Sequence, residues 1–376
     1  MKTAESIAPQ WFAGILGVKK NAKKQVIGMK HEKCPTVLAH GRAAEMDGAT
    51  YISTDDFNMQ LGELQQDVTG KIAPKRAGAD QLAAVYAEIY SRTDAPSFQR
   101  RAATTAQCGT FLEYWVSTQG RRLAGANFCR DRLCPMCAWR RSLKIFAQVS
   151  RVMDVLESQD HHFLFLTLTV KNRPGGDLPD AVQQLYDGWR KLYHKNAVFR
   201  GTVCGTFRAL ECTRNQQTGE YHPHLHVILA VRPSYWAGRN YIPQRGWARM
   251  WQAACGLDYC PIVDVRRIKP GSRGLAGAVA EVAKYSVKSQ DYLHGTMDEQ
   301  VAGVLDYLVA LSGRRLCSFT GCFADVRRQL RIDDDPVDGD LLDVDGSGLR
   351  DDVAYMVVRY RWQAGVYIRD VSPRKK

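Results

Sequence analysis

No stretch of this 376-residue sequence stays apolar long enough to cross a bilayer, which takes about 20 residues. The longest apolar run, Phe163 to Val170, is interrupted by Thr167 and Thr169, so no membrane partner is expected. Met1 to Pro9 has one lysine and no apolar core behind it; a secretory leader is not expected, and the chain should stay in the cytoplasm. Acidic side chains are scarce beside basic ones, 39 against 52, a net charge of +13 that favours a polyanionic partner through counterion release. Nucleic acid is the first candidate. An even set of cysteines is also missing. Eleven cysteines without an export signal exclude a disulfide scaffold and turn attention to metal binding. There is no internal repeat, and Asp343-Val344-Asp345-Gly346 lacks the spacing and terminal glutamate of an EF-hand calcium loop.

Residues 1–100 contain helical patches, such as Asp80 to Arg92 with Leu82, Val85, Tyr86 and Ile89 on one face, and no motif with attached chemistry. The β-like run Phe163 to Val170 opens a mixed α/β segment and stops at the Pro and Gly turn Asn172 to Gly176. Pro179 to Lys195 places Val182, Leu185, Trp189 and Leu192 at helical spacing. Thr202 to Thr213 and Tyr221 to Val231 then read as two strands joined by a turn at Arg214 to Gly219, and residues 275–294 return to a helical rhythm. Seven aspartates between Asp333 and Asp345, with Pro336 and Gly339, predict a solvated linker, after which Tyr355 to Ile368 alternates like a strand.

Within Tyr221-His222-Pro223-His224-Leu225-His226, alternation along a strand sends His224 and His226 to one face. Two imidazoles on adjacent same-face positions form a bidentate metal site. His222 shares their parity beyond Pro223 and is a third or supporting group. A hairpin closed near 214–219 brings Glu211 alongside, and mixed imidazole and carboxylate ligation suits Mg²⁺ or Mn²⁺ with positions left open for a phosphate.

In Glu281 to Lys288, continuous helix would put Glu281, Tyr285 and Lys288 within an arc of about 60°. A tyrosine becomes a nucleophile when a cation favours its phenolate, and Lys288 or a metal can do so. A neighbouring carboxylate, here Glu281, can take a proton from the tyrosine or from water. Upstream, Cys129, Cys134 and Cys137 have close thiolate spacing, and Cys108 completes a four-cysteine set for Zn²⁺. Residues 121–144 carry seven basic side chains against the single acid Asp131, and Arg130, Arg132, Arg140, Arg141 and Lys144 are expected to contact DNA phosphate.

Taken in order, Phe165-Leu166-Thr167-Leu168-Thr169, His224-Leu225-His226 and Glu281-x-x-x-Tyr285-x-x-Lys288 resemble the three motifs of HUH endonucleases over residues 105–295. The resemblance is strongest to rolling-circle plasmid replication initiators of Gram-positive type, in the branch with one catalytic tyrosine preceded by a glutamate. It implies an α+β fold with an HUH-like central antiparallel sheet between helices, an upstream zinc module and a small C-terminal extension. The expected division is an N-terminal region 1–100, a zinc module 101–150, a nicking domain 151–310 and an extension 311–376. It also implies a bacterial enzyme that nicks single-stranded or supercoiled origin DNA with Tyr285, leaving a 5′-phosphotyrosyl link and a 3′-hydroxyl for a host polymerase, beside a host helicase. Glu281 would then serve termination and Lys288 would stabilise charge. The rival readings are a transposase or relaxase with the same chemistry, and a zinc-containing regulator without catalysis.

Overall fold

Strands far apart in sequence build two antiparallel sheets. A computed structural model describes residues 54–118, 120–237, 240–283, 287–332, 341–342, 344 and 355–373. Most of the aspartate-rich stretch 333–345 lies outside the described residues, as does Tyr285. The chain from Asp55 onward forms one compact unit.

Helices come first: α1 (Thr54–Asp67), a π turn (Val68–Ile72), α2 (Ala73–Thr93) and α3 (Pro96–Gln107). In α2 the predicted face is the buried one, with Leu82, Val85, Tyr86 and Ile89 all inside. β1 (Phe111–Ser117) and β2 (Gly120–Ala126) follow, then α4 (Pro135–Ser158), β3 (His162–Thr169), α5 (Leu178–Lys195), α6 (Ala197–Thr202), β4 (Val203–Arg214) and β5 (Tyr221–Val231). The remainder is α7 (Gln244–Cys255), β6 (Val263–Ile268), α8 (Ser272–Val282), α9 (Met297–Leu311), β7 (Cys317–Gly321), α10 (Cys322–Gln329), β8 (Met356–Gln363) and β9 (Val366–Pro373). Among the described residues no helix is long and apolar enough to cross a membrane.

One sheet has the order β6-β3-β5-β4-β7, so the histidine strand β5 is central. Being central, it is buried on both faces, and ten of its eleven residues are inside. On one face Phe163, Phe165, Phe207, Ala209, Ile228 and Ala230 pack with Val149, Val152, Met153 and Leu156 of α4 and with Leu275, Val279 and Val282 of α8. This is the face that His224, His226 and Glu211 share by alternation, so the histidines continue the row of core residues towards one end of the strand. On the other face α5 packs against β5, with α7 and α9 against α5.

The other sheet has the order β2-β1-β8-β9. The strands expected to be a C-terminal extension thus pair directly with the cysteine-rich segment, Leu112 opposite Tyr360 and Tyr114 opposite Val358. A second departure concerns the tyrosine motif. Rather than running through Lys288, the helix stops at Val282, and Lys288 has extended backbone, with φ −83° and ψ 139°. Glu281 and Lys288 therefore do not share one helical stripe. Tertiary contact outweighs periodicity here, because the extended conformation buries Val287 and lets Lys288 reach Glu211.

Gly205 lies where β4 meets β7, and a Cβ there would stand 2.5 Å from the backbone nitrogen of Cys322 and 2.7 Å from the Thr320 carbonyl oxygen. Backbone cannot move aside like a side chain tip. Gly205→Ala should destabilise the protein by about 1–3 kcal/mol in denaturant unfolding, the usual cost of overpacking. An unchanged midpoint would show that β7 is loosely held.

Candidate functional site

The β4–β5 register sets Glu211 opposite His224 and Ala209 opposite His226, while β3 sets Thr167 opposite His226. The turn that fixes this register is built by Asn215, whose Oδ1 accepts from the Gln217 and Thr218 backbone N–H groups, and by Gly219 at φ +73°. Three ligand atoms converge as a result. His226 Nε2 is 2.9 Å from Glu211 Oε2, His224 Nε2 is 3.5 Å from the same oxygen, and the two Nε2 atoms are 3.1 Å apart. All three side chains are buried.

The second nitrogen of each ring explains this convergence. His224 Nδ1 lies 3.0 Å from the His222 carbonyl oxygen, which can only accept, so Nδ1 carries the proton and Nε2 presents its lone pair. His226 Nδ1 lies 3.2 Å from Thr167 Oγ1, an arrangement that directs its Nε2 the same way. Two lone pairs and a carboxylate oxygen facing one another repel unless a cation lies between them. Ligands at about 2.1 Å stand about 3.0 Å apart at right angles and about 3.4 Å apart in a tetrahedron, each within about 0.1 Å of a spacing found. The residues fit a divalent ion.

Lys288 Nζ lies 3.3 Å from Glu211 Oε1, on the oxygen that the histidines do not use. The described part of the tyrosine motif thus touches the histidine site through Lys288, whereas Glu281 sits half-buried at the end of α8. His222 remains beside the site rather than in it: its Nδ1 pairs with Asn172 Oδ1 at 2.7 Å, and burial lowers its pKa. Thr167 and Asn172 had no assigned role in the sequence reading. The threonines interrupting an otherwise apolar strand were the available signal for Thr167; Asn172 had none.

Cys108, Cys129, Cys134 and Cys137 also meet, although they come from the end of α3, the loop after β2 and the start of α4. Their sulfurs are 3.5 Å apart for Cys108–Cys137 and Cys108–Cys134, and 3.7 Å for Cys129–Cys137. Tetrahedral ligands at about 2.3 Å stand about 3.8 Å apart, so the four sulfurs nearly outline a zinc tetrahedron. Backbone N–H groups donate to them, Arg130 to Cys137 at 3.2 Å and Cys129 to Cys108 at 3.4 Å; the first uses the left-handed backbone of Arg130, φ +61°. Without a cation the thiols are in conflict, with Cys129 held low by hydrogen bonds from Cys108 first, and Cys108 and Cys134 pushed up.

The basic residues around this centre divide. Arg130 and Arg132 are exposed, but Arg132 Nη1 donates to the Leu311 and Arg314 carbonyl oxygens at 2.8 and 3.0 Å. Arg141 donates to the Asp131 and Arg130 carbonyls. Arg140 and Lys144, expected at DNA phosphate, are buried, and Arg140 donates to the Leu341 and Leu342 carbonyls at 2.7 Å each. Carbonyl acceptors some 200 positions away in sequence occupy the Arg140 guanidinium and hold it inside the fold.

The fold and its two ligand clusters define a mixed α+β protein with a three-residue histidine–glutamate cluster and a four-cysteine cluster. A family model described as "Replication protein" matches residues 120–368. The chain is 36% identical over 282 residues to "Protein rep" of a Bacillus species, covering 70% of this chain and 91% of that protein. It is 35% identical over 338 residues to "Protein rep" of Bacillus amyloliquefaciens, covering 84% and 98%, and 39% identical over 230 residues to that of Streptococcus pneumoniae serotype 2, covering 60% and 70%. No solved structure matches. The chain belongs to this family of replication proteins, the rolling-circle initiators that its motifs resemble.

Two outcomes follow from the geometry. Thr167→Val keeps a β-branched side chain on β3 and removes only the hydroxyl beside His226 Nδ1; calorimetric titration should find Mn²⁺ bound about tenfold more weakly, and wild-type affinity would remove Thr167 from the site. Replacing Cys134 and Cys137 together with serine should strip bound zinc and lower unfolding stability by about 3 kcal/mol or more, on the scale of losing a native cross-link. Retention of zinc would contradict the tetrahedral site.

Proposed function

We propose that the protein initiates rolling-circle replication of a plasmid by nicking one strand at its origin, with Tyr285 as nucleophile. The observation that carries this reading is the convergence of His224 Nε2, His226 Nε2 and Glu211 Oε2, with Lys288 on the far carboxylate oxygen, in a member of a replication-protein family. This is a site with three protein ligands and open positions, the form that catalytic metal sites take. In this reading the histidine sheet with its helices forms the HUH-like nicking domain, which runs past the expected 151–310 because β7 belongs to it, and β8 and β9 join the zinc module rather than a separate extension.

A divalent ion held there, Mg²⁺ or Mn²⁺, supplies Lewis-acid polarisation and orientation of the scissile phosphate. The chain's own groups do the remainder. The Nδ1 atoms of His224 and His226 face the His222 carbonyl oxygen and Thr167 Oγ1, which leaves both Nε2 atoms turned towards Glu211. Tyr285, three residues before Lys288 in the sequence, loses its proton and attacks phosphorus. The phosphotyrosyl bond forms as the bond to the 3′-oxygen breaks, and that oxygen takes up, through water, the proton given up by Tyr285 and becomes a 3′-hydroxyl from which a host polymerase extends with a host helicase ahead of it. Lys288 offsets the negative charge that develops at the phosphate. Glu281 accepts a proton from the group that attacks in the closing cleavage. The exposed Arg130 is left as the basic side chain of the zinc module best placed for DNA phosphate.

Purified protein, Mn²⁺ and labelled single-stranded origin DNA should yield nicked product and a covalent adduct on a denaturing gel. Tyr285→Phe should abolish the adduct and lower nicking by at least about a thousandfold, and Glu281→Ala should spare the first nick while impairing the closing one. Binding without any cleavage, across candidate origins and metals, would leave a non-catalytic regulator as the better account. Equal loss of both cleavages in Glu281→Ala would reject the division of roles.

A further inference from the structure

Lys288 reaches Glu211 from a segment that is tied down on its C-terminal side. Three residues on, Asp291 closes the single 3₁₀ turn Ser289–Asp291, and it is only 6% exposed. The backbone at Lys288 and Arg214 and the Lys288 charge act against that burial and favour its ionised form. Its Oδ2 is buried without a hydrogen-bond partner. Arg214 ends β4, the strand that carries Glu211. The buried carboxyl therefore stands between the backbone of Lys288 and the end of the strand that carries its ion-pair partner. Burial pushes the Asp291 carboxyl up to about 6, above the range of an exposed aspartate. The fold keeps this group inside although ionising it there is costly.

The next residue ties the segment elsewhere. Tyr292 is 2% exposed, with its ring 5.9 Å from that of Tyr307 at an interplanar angle of 74°. Its hydroxyl donates to the carbonyl oxygen of Leu133, which immediately precedes Cys134. Gln81 Nε2 donates to the Leu293 carbonyl at 2.6 Å and extends the tie to α2. The loop that carries Leu133 is itself ordered by Asp131, whose Oδ1 accepts the Leu133 N–H at 2.8 Å.

We propose that Asp291 and Tyr292 are positioning residues that clamp Lys288 onto Glu211, and that through Leu133 they couple the cysteine centre to the histidine–glutamate centre. The clamp rests on the reading of Glu211 as a metal ligand. An ammonium beside Glu211 reduces the negative charge offered to a metal. Release of Lys288 should therefore tighten Mn²⁺ binding at this site, an effect that general loosening of the fold would not produce.

The test is Mn²⁺ titration by calorimetry on the full zinc-retaining chain, comparing wild type, Tyr292→Phe, Lys288→Met and the double variant. The clamp requires Tyr292→Phe to bind Mn²⁺ about threefold or more tighter with unchanged zinc content, and the double variant to match Lys288→Met alone, since coupled residues are non-additive. Wild-type affinity in Tyr292→Phe, or the same change recurring in the Lys288→Met background, would overturn it. If Tyr292→Phe does not fold, Asp291→Asn and Asp291→Ala carry the comparison. Both are neutral but only Asn keeps an acceptor oxygen, so Ala should bind Mn²⁺ more tightly than Asn, and only while Lys288 is present; equal affinities overturn the clamp. A wild-type chain that binds no Mn²⁺ at the site would instead remove the ligand reading beneath it.

Discussion

The pairing of Glu211 with His224 across β4 and β5 is the constraint from which the candidate chemistry follows. Side chains alternate, so a slip of one residue would send the carboxylate to the face where Leu210 and Cys212 are buried and would turn Arg208 towards the histidines. That slip is opposed along the whole strand. Both faces of β5 are buried, and each residue from Leu225 to Val231 would lose its place in a packed layer. The three ligands need no separate device to hold them together, because the hydrophobic register that folds the sheet also aligns them.

The two clusters differ in what they leave open. Four sulfurs spaced for a tetrahedron would fill the coordination of a zinc ion and so join three chain segments, in a cluster where Cys108, Cys134 and Cys137 are buried. Glu211, His224 and His226 offer three ligand atoms and would leave a bound ion with coordination positions unfilled by protein. The closed centre suits architecture and the open one suits chemistry, a division that also explains why the carbonyl of Leu133, beside the closed centre, holds the segment that reaches the open one.

Much of the site was legible in the sequence because its spacing is local. Two residues apart on a strand means one face, and a hairpin turn six residues long sets Glu211 within reach of His224 and His226. The thiolates Cys129, Cys134 and Cys137 were legible in the same way. What could not be read depends on distant partners. The β1–β8 pairing, with Glu113 and Arg359 at 2.8 Å across 246 positions, leaves no trace in either local pattern. Arg140 reads as a surface arginine until its acceptors at Leu341 and Leu342 are seen. Periodicity carried the helix through Lys288 because it could not weigh an ion pair with Glu211 against another helical turn.

The closing of the second sheet by β8 has a consequence for biosynthesis. At about 5–20 residues per second, a ribosome that has finished Glu113 needs roughly 12–50 seconds more to reach its partner Arg359, 246 positions later. Throughout that interval β1 is covered by β2 on one side only, and the bare side is a template for pairing with a neighbouring nascent chain. Glu113, half-buried in the finished sheet, stands on this waiting strand as a charge against such encounters. The histidine sheet draws its strands from residues 162–321 and can close first, so the emerging protein acquires its candidate chemistry before the four-stranded sheet is complete.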